Sequence, residues 1–491
     1  MSILLVYSNL FAQTDTIKHS VEIISGVASK PYMPQYIYSN RYGIIDDKQA
    51  DGLVRMKLEV PYKLGKNWHI RLLADVTGKP REGSSRLQQA YLRIDRGIFE
   101  FSAGRFESTM GSQNDDLSSG SMAISRNAMP LPMLKISVPR YTAIPFTKGY
   151  LEFKGDFSHG WFEKNRYTQS PYLHEKSLYF KAGGRIPVNA FMGLVHFAQW
   201  GGYTPGVGHW PAGLKDYYRI LFAKGAGKNT ANYSEQENAL GNHLGIIDMG
   251  LTLKAKSFNV IAYRQMPWED FSGTRFYRNR DGLFGVNMDF KENVLRFISS
   301  ITLEYLHTTW QSGPGYSDFE PDLDNRGFPF GGRDNYYNHG IYRNGWTYEG
   351  MIIGTPLFTT RQRAEKYFGE GEYADYSIVN NRVKAIHLGV KGNVATKINF
   401  RVLATYSKNY GTYNGISAVV GDFWAPVDLP PSANNYVFYP PLRQFYGLIE
   451  LNTRISSKRD IELTTSWGVD AGQMTHNTGV LVGLRWNGMV K

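Results

Sequence analysis

Apolar and polar residues alternate along most of the chain, in segments of about strand length. In residues 295–305, Phe297 and Tyr305 belong to an apolar face, whereas Arg296 and Glu304 belong to the opposite, polar face. The same alternation recurs in residues 68–76, 398–407 and 461–470. A period of two places successive side chains on opposite faces of a β-strand. These segments are therefore predicted to be strands with one polar and one apolar face.

The connections between predicted strands differ in length in a regular way. Short turns are predicted at residues 96–97, 392–393 and 456–459. Long, aromatic-rich loops are predicted at residues 201–243, 311–350 and 408–440. Short turns at one rim and long loops at the other are typical of outer-membrane barrels. The sequence predicts an all-β fold, a single large antiparallel transmembrane β-barrel of ~16–18 strands without a second domain.

Two segments interrupt the alternation. Residues 110–145 are rich in Ser, Asn and Pro, which disfavour a regular strand, and they are predicted to fold inward as a plug-like segment. Inside the 201–243 loop, residues 213–224 have helical periodicity. The predicted helix carries one apolar face, which consists of Leu214, Tyr217, Tyr218 and Leu221.

Composition supports a barrel in an exported location. Aromatic residues make up 14% of the chain and cysteine is absent, so neither a disulfide framework nor a thiolate site is expected. The sequence contains no run of 18 apolar residues, which excludes a helical membrane protein. Residues 1–13 resemble the remnant of a secretory signal, with a buried N-terminal strand as the alternative. The mature barrel is then residues 14–491, in the outer membrane of a Gram-negative bacterium.

The net charge of +12 is spread along the chain. Basic residues that are not clustered do not form a nucleic-acid-binding tail. A basic rim or lumen would attract an anionic polymer, and simple solubility is the alternative explanation.

Residues 331–356 combine aromatic side chains with amides, carboxylates and guanidinium groups. Flat rings stack on the apolar faces of sugars, while the polar groups bind hydroxyls. A long surface loop that packs its own aromatic rings is the alternative. The candidate glycan-binding residues are Arg333, Asp334, Asn335, Tyr336, Tyr337, Tyr342 and Trp346, together with Trp268 and Trp310 from neighbouring predicted loops.

Catalytic and metal-binding patterns are sparse. No nucleophile elbow, zinc-protease motif or P-loop occurs, and no His, Asp and Glu group has the spacing of metal ligands. The adjacent acids Glu269 and Asp270 are the best candidates for a glycosidase pair. We therefore expect no enzymatic activity, no cofactor and no metal, with a hydrolase as a minor hypothesis that a Glu269→Gln variant tests.

Several motifs occur together and in order, and they resemble the Wzi-type capsule-assembly outer-membrane proteins, in particular the Bacteroidetes form. The motifs are SNRYG (39–43), LSSGSMAISRNAMPLPML (117–134), GNHLG (241–245), YRQMPWEDFSG (263–273), LEYLHTTWQSGPG (303–315), GGRDNYYNHGIYRNGWTYEGMIIGTPL (331–357) and NRVKAIHLGV (381–390). The resemblance implies an 18-stranded barrel with a plugged lumen and long extracellular loops. It also implies a cell-surface lectin that attaches capsular polysaccharide, without an enzymatic step. No N-terminal helical bundle is evident before residue 52, so residues 110–145 are expected to replace that plug.

The leading hypothesis is a monomeric barrel that binds capsular or other surface polysaccharide, expected to be anionic, and contacts outer-membrane lipid. No nucleic-acid partner is expected. The alternative is a diffusion porin for anionic solutes, which would conduct steadily in a planar bilayer.

Overall fold

The computed structural model describes residues 12–14, 16–48, 52–80, 82–226, 239–270, 272–276, 279–291, 294–313, 333–373, 376–420 and 435–490. Its main sheet has 19 strands. One of them is the three-residue strand Ala12–Thr14, which pairs with the end of the strand Leu53–Leu64. The predicted signal remnant, residues 1–13, falls outside the described residues except for residues 12 and 13.

The other strands of this sheet form the wall. They are β1 (Ile17–Ala28), β2 (Leu53–Leu64), β3 (Trp68–Lys79), β4 (Ser84–Arg96), β5 (Phe99–Arg105), β6 (Pro132–Ala143), β7 (Leu151–Trp161), β8 (Tyr172–Ala182), β9 (Val188–Trp200), β10 (Asn242–Lys254), β11 (Phe258–Trp268), β12 (Gly282–Phe290), β13 (Ile298–His307), β14 (Val383–Ala395), β15 (Ile398–Asn409), β16 (Leu442–Ser456), β17 (Ile461–Gly472) and β18 (Asn477–Val490).

The wall is a closed 18-stranded antiparallel barrel, which confirms the predicted fold class. Each strand pairs with the next along the chain, and β18 pairs with β1, with Ile17 opposite Val490 and Ala28 opposite Gly479. Closure leaves no wall strand with unpaired backbone groups along a sheet edge.

Side chains alternate between the two faces of the wall, with one apolar and one polar face as the sequence predicted. Leu303 and Tyr305 of β13 are exposed on the outer face, whereas Thr302 and Glu304 are buried on the inner face. Trp467 of β17 is likewise exposed and Ser466 is buried. An apolar exterior is the surface that a barrel presents to lipid.

Within the described ranges, four α-helices lie in the connections: α1 (Gln35–Tyr38), α2 (Leu214–Leu221), α3 (Arg361–Phe368) and α4 (Tyr413–Val420). Among the described residues, no helix is long and apolar enough to cross a membrane. Three pairs of short strands accompany them: Tyr203–Thr204 with Gly208–His209, Thr347–Tyr348 with Met351–Ile352, and Thr359–Thr360 with Ile378–Asn380.

The connections differ in length between the two rims. Short turns at 65–67, 97–98, 396–397 and 457–460 share the rim at which β1 starts and β18 ends. Long connections, among them 201–241, 308–382 and 410–441, share the other rim. The turn predicted at 392–393 was wrong, because these residues belong to β14 and the turn lies at 396–397. Parts of the predicted loops 201–243, 311–350 and 408–440, namely 227–238, 314–332 and 421–434, lie outside the described residues.

Two long connections contact the inner face of the wall. Between β5 and β6, the backbone N–H and hydroxyl of Ser119 donate to the Glu304 carboxylate of β13. Between β1 and β2, the buried α1 places the Tyr36 hydroxyl 3.2 Å from His387 Nδ1 of β14. The segment predicted as plug-like, residues 110–145, includes β6 at its end, so residues 132–143 belong to the wall.

Candidate functional site

The aromatic stretch predicted to bind a ligand lies between β13 and β14, and its rings are packed inside the molecule. Trp346 is fully buried, and its indole Nε1 donates to the Ala123 carbonyl at 2.8 Å. The buried Tyr337 hydroxyl donates to the neighbouring Met122 carbonyl. Tyr342, also buried, donates from its hydroxyl to the Gly201 carbonyl at 3.3 Å. These rings fasten the stretch to residues 122–123 and to the end of β9.

The buried carboxylate of Asp281 organises the start of this stretch. It accepts the Trp310 N–H at 3.0 Å, the Gln311 N–H at 2.6 Å and the Tyr336 hydroxyl at 2.9 Å. His307 Nδ1 lies 2.9 Å from the same carboxylate. Burial, together with the Asp281 charge, raises the pKa of Tyr336 well above its ordinary value. Sequence reasoning missed Asp281, because no recurring spacing distinguishes it from a surface acid.

The three polar residues at the start of the stretch are also engaged by protein groups. Asn335 Oδ1 accepts from Asn338 at 2.9 Å and from Asn381 at 2.6 Å. Asp334 accepts the Ser312 hydroxyl, and burial, with the nearby Asp270 charge adding to it, raises the pKa of Asp334 well above its ordinary value. Arg333 is buried, with its guanidinium carbon 6.0 Å from the centre of the Tyr413 ring.

The remaining predicted residues lie at the edges of this core. Trp310 is half-buried beneath Arg280, whose guanidinium carbon is 4.4 Å from the ring centre. Trp268 ends β11 and stacks on His196 at 5.5 Å. Next to it, Glu269 accepts the Tyr337 N–H at 2.6 Å, and burial raises the pKa of Glu269 to about 8.

The structure thus brings eight of the nine candidates into one packed region and leaves Trp268 apart on the wall. Tyr336, Tyr337, Tyr342 and Trp346 are each at most 2% exposed, so no face of these rings is available to a ligand in this conformation. This packing agrees with the alternative of a loop that packs its own aromatic rings. Carbonyls of residues 122–123 accept from Tyr337 and Trp346, the Gly201 carbonyl accepts from Tyr342, and the Asp281 carboxylate accepts from Tyr336. A ligand-binding role for the nine candidates stays a prediction.

A groove opens beside the same stretch, on the rim of the long loops. Its volume is about 480 Å³. Its lining consists of Tyr167, Arg343, Asn344, Thr347, Gly350, Thr360, Arg361, Gln362, Glu365, Tyr376 and Ser377. Tyr167, from the connection between β7 and β8, is 43% exposed, and the Arg343 guanidinium carbon lies 4.6 Å from its ring centre. The groove therefore combines an accessible aromatic ring with guanidinium, amide and hydroxyl groups.

Hydrogen bonds hold the two sides of the groove together. The Tyr167 N–H donates to Asn344 Oδ1 at 2.7 Å. The guanidinium of the adjacent Arg166 is buried and donates to the Thr347 carbonyl at 2.7 Å and the Gly345 carbonyl at 3.0 Å. Gly345 has a φ of 66°, and a Cβ there would lie 2.3 Å from the Tyr337 carbonyl oxygen. The groove wall is thus built directly on the packed aromatic stretch.

A second, smaller cavity of about 170 Å³ adjoins the groove and shares Gly350, Thr360 and Gln362 with it. The larger cavity carries Arg343 and Arg361 against Glu365, an excess of one positive charge. Within the part of the chain that the structure describes, no group of three or more His, Asp or Glu side chains is arranged to hold a metal. Stacking, hydrogen bonds and ion pairs are the chemistry that the groove offers.

Comparison with known proteins identifies related chains. The family model described as capsule assembly protein Wzi matches residues 32–365. The structure is similar to that of Wzi from Escherichia coli, described as an outer membrane protein involved in group 1 capsule assembly and a carbohydrate-binding β-barrel. That match has a TM-score of 0.58 and 14% identity over 95% of this chain and 83% of that one. No curated protein matches the chain.

Two further barrels align at lower similarity. OccD3 (OpdP) of Pseudomonas aeruginosa has a TM-score of 0.47 and 8% identity over 97% of this chain and 91% of that one. OccAB4 of Acinetobacter baumannii has a TM-score of 0.46 and 8% identity over 97% and 99%. Similarity at this level supports no conclusion about function.

Proposed function

The chain belongs to the Wzi capsule assembly family, and from this premise we propose that it binds a surface polysaccharide at the extracellular rim and helps to attach the capsule to the cell. The chain is an outer-membrane β-barrel of a Gram-negative bacterium. The rim with the long loops is then the extracellular one. The similar E. coli barrel is described as carbohydrate binding, which supports the proposal without locating a site on this chain.

The groove beside Tyr167 and Arg343 is the observation that carries the proposal. Sugar rings stack on accessible aromatic faces, and guanidinium groups pair with carboxylates through two hydrogen bonds. The groove places both kinds of group within 4.6 Å of each other on an open surface. Its excess positive charge favours an acidic polysaccharide, such as one that contains uronic acids. We therefore assign glycan contact to this groove and only a supporting role to the buried rings.

The proposed role is binding, not hydrolysis. Glu269 is the acid that sequence reasoning singled out, and its carboxylate is held by the Tyr337 N–H beneath the packed stretch. A glycosidase instead needs two carboxyl groups ~5–10 Å apart across an open cleft. The groove contains Glu365 as its one acidic side chain among the described residues.

We also propose a monomeric barrel with a lumen closed to solutes. The segments 31–47 and 106–131 occupy the inner face of the wall, where Ser119 and Tyr36 bind to wall residues. A porin for anionic solutes is the competing function. Steady single-channel current from the purified protein in a planar bilayer would favour the porin over the closed lectin.

Removing the groove's aromatic and guanidinium groups tests the proposal. A Tyr167→Ala/Arg343→Ala variant should bind purified capsular polysaccharide at least tenfold more weakly, since each truncated contact costs about 1–2 kcal/mol. Capsule retention on cells should fall in parallel. The matched control is Tyr150→Ala/Arg459→Ala, which removes the same residue types from exposed positions at the opposite rim.

Both variants should keep the heat-modifiable electrophoretic mobility of a folded barrel. Equal polysaccharide binding by the groove variant and the control variant, both folded, would refute the groove as the binding site. Loss of capsule with both variants would instead indicate a general defect in assembly.

A further inference from the structure

Helix α2 packs against the outside of the barrel. Side chains of β8 alternate, so His174 shares the outer face with the exposed Leu178 and Phe180. His174 is nevertheless buried, with its Nδ1 3.2 Å from the Tyr217 hydroxyl of α2. The Tyr217 ring also stacks on Trp200 of β9, with ring centres 5.3 Å apart. The helix therefore covers the outer surface of β8 and β9.

This helix has a second apolar stripe, which faces away from the barrel. Ile220 is fully buried on the barrel side. Leu214, Tyr218 and Phe222 are 90%, 54% and 55% exposed. Residues four apart lie one above another on a helix, so these three form a continuous stripe. Sequence analysis predicted a single apolar face that mixed members of both stripes and omitted Ile220.

The helix lies at the upper edge of the lipid-facing wall. Below it, the outward side chains are Leu178 and Phe180 of β8 and Met192 and Leu194 of β9, all 48–51% exposed. The positions of β8 and β9 that α2 covers lie on the same outer face, closer to the extracellular rim. Lys176, two residues from Leu178, donates to the carbonyl of Leu221 at the end of the helix.

Basic side chains accompany the apolar stripe. Lys215 is exposed, and Arg219 pairs with Asp216 at 2.9 Å while remaining partly exposed. Lys224 Nζ lies 5.4 Å from the centre of the Tyr218 ring. A helix with an apolar stripe flanked by basic groups is suited to the boundary between acyl chains and anionic head groups.

We propose that α2 is an interfacial helix that seats the barrel in the outer leaflet of the membrane. Its apolar stripe enters the upper acyl region, and Lys215, Arg219 and Lys224 bind the phosphate groups of anionic glycolipids. The occupant is lipid because the helix packs on the outer surface of β8 and β9, beyond their exposed lipid-facing side chains toward the extracellular rim. This interaction surface is separate from the glycan groove and does not depend on it.

Spin labels at single introduced cysteines test the position of the stripe, since the chain contains no cysteine of its own. Tyr218→Cys and Phe222→Cys would each be labelled in proteoliposomes that contain lipid A. Leu194→Cys on the wall is the lipid control, and Val207→Cys, 65% exposed in the same loop, is the water control. At positions 218 and 222, the ratio of the label's accessibility to oxygen and to a nickel chelate should match the ratio at position 194. A ratio equal to that at position 207 would overturn the proposal and leave the stripe as a face for a protein partner.

A charge series tests the phosphate contacts. Lipid A added to the detergent-solubilised protein should raise its melting temperature. Most of this rise in melting temperature should be lost in the triple variant Lys215→Gln/Arg219→Gln/Lys224→Gln. The matched control, Lys256→Gln/Lys458→Gln/Arg459→Gln, removes three positive charges at the opposite rim and should keep the gain. An equal gain in both variants would refute the phosphate contacts, and an equal loss would show a nonspecific charge effect and refute them as well.

Discussion

Replacing Glu304 by glutamine should loosen the segment between β5 and β6 from the barrel wall. The Glu304 carboxylate faces the interior and accepts the Ser118 hydroxyl at 2.6 Å. It also accepts the N–H and the hydroxyl of Ser119, both at 2.7 Å, and the Tyr263 hydroxyl at 2.5 Å. One carboxylate thus satisfies three donors of the inserted segment and one of the wall.

The loss of docking free energy can be worked out from the donors that a glutamine cannot accept from. Its amide keeps one acceptor oxygen and places an NH₂ group against the donors on the other side. At least one hydrogen bond to a charged acceptor is lost, and a buried N–H or hydroxyl is left without a partner. Each effect costs about 1–3 kcal/mol. A total of about 3 kcal/mol would raise the population of the undocked segment by about 100-fold.

Hydrogen exchange measured by mass spectrometry reports this opening directly. Peptides from residues 106–131 should exchange about 100-fold faster in Glu304→Gln than in the wild type, provided that exchange follows local opening. Planar-bilayer recordings should show channel events that the wild type lacks. Glu462→Gln is the control, because this carboxylate of β17 also faces the interior of the wall but pairs with Arg454 of the preceding strand β16, at 3.8 Å. Unchanged exchange in residues 106–131 would refute the view that Glu304 holds the segment in place.

Two further predictions concern the packed aromatic stretch. Trp346→Ala should destabilise the loop by about 3–5 kcal/mol, because it empties a fully buried site, and the loss should appear as faster hydrogen exchange in residues 333–357. Glu269 has its pKa raised from 4.5 to about 8, so the folded loop retains a proton that the opened loop releases between these values. Protection of the stretch should therefore be greatest below pH 4.5 and decline as the pH rises through 8, and Glu269→Gln should flatten this dependence.

The wall could be predicted from sequence because each strand meets lipid on one side and a polar interior on the other. That contrast appears as an alternation of apolar and polar residues through most of β13 and β17. The turn at 392–393 was misplaced because Gly392 was interpreted as a turn residue. In the structure, a Cβ at Gly392 would lie 1.8 Å from the carbonyl oxygen of Phe297, the residue just before β13. The glycine permits close approach between neighbouring segments, which a single sequence cannot distinguish from a turn.

The candidate site was harder to predict because rings that stack on sugars and rings that pack a loop have the same local composition. The difference lies in partners that are distant in the chain. The Tyr337 hydroxyl donates to the Met122 carbonyl and the Trp346 indole to the Ala123 carbonyl. Each pair is more than 200 residues apart in the sequence. Tyr167 was missed for the same reason, because only the fold places it beside Arg343.

The buried stretch connects the inserted segment 106–131 to the proposed binding groove. Trp346 binds the inserted segment through Ala123, and the preceding Gly345 accepts hydrogen bonds from Arg166, the neighbour of Tyr167, and from Gln199 of the wall. The groove is therefore fixed to both the wall and the interior. A surface held in its binding conformation loses less entropy when it takes up a ligand. In the closed barrel that we propose, the same bonds would also narrow the path that the solutes of a porin need. The contacts proposed to close the lumen would thus preorganise a lectin surface, so the roles proposed for the interior and for the rim fit one function.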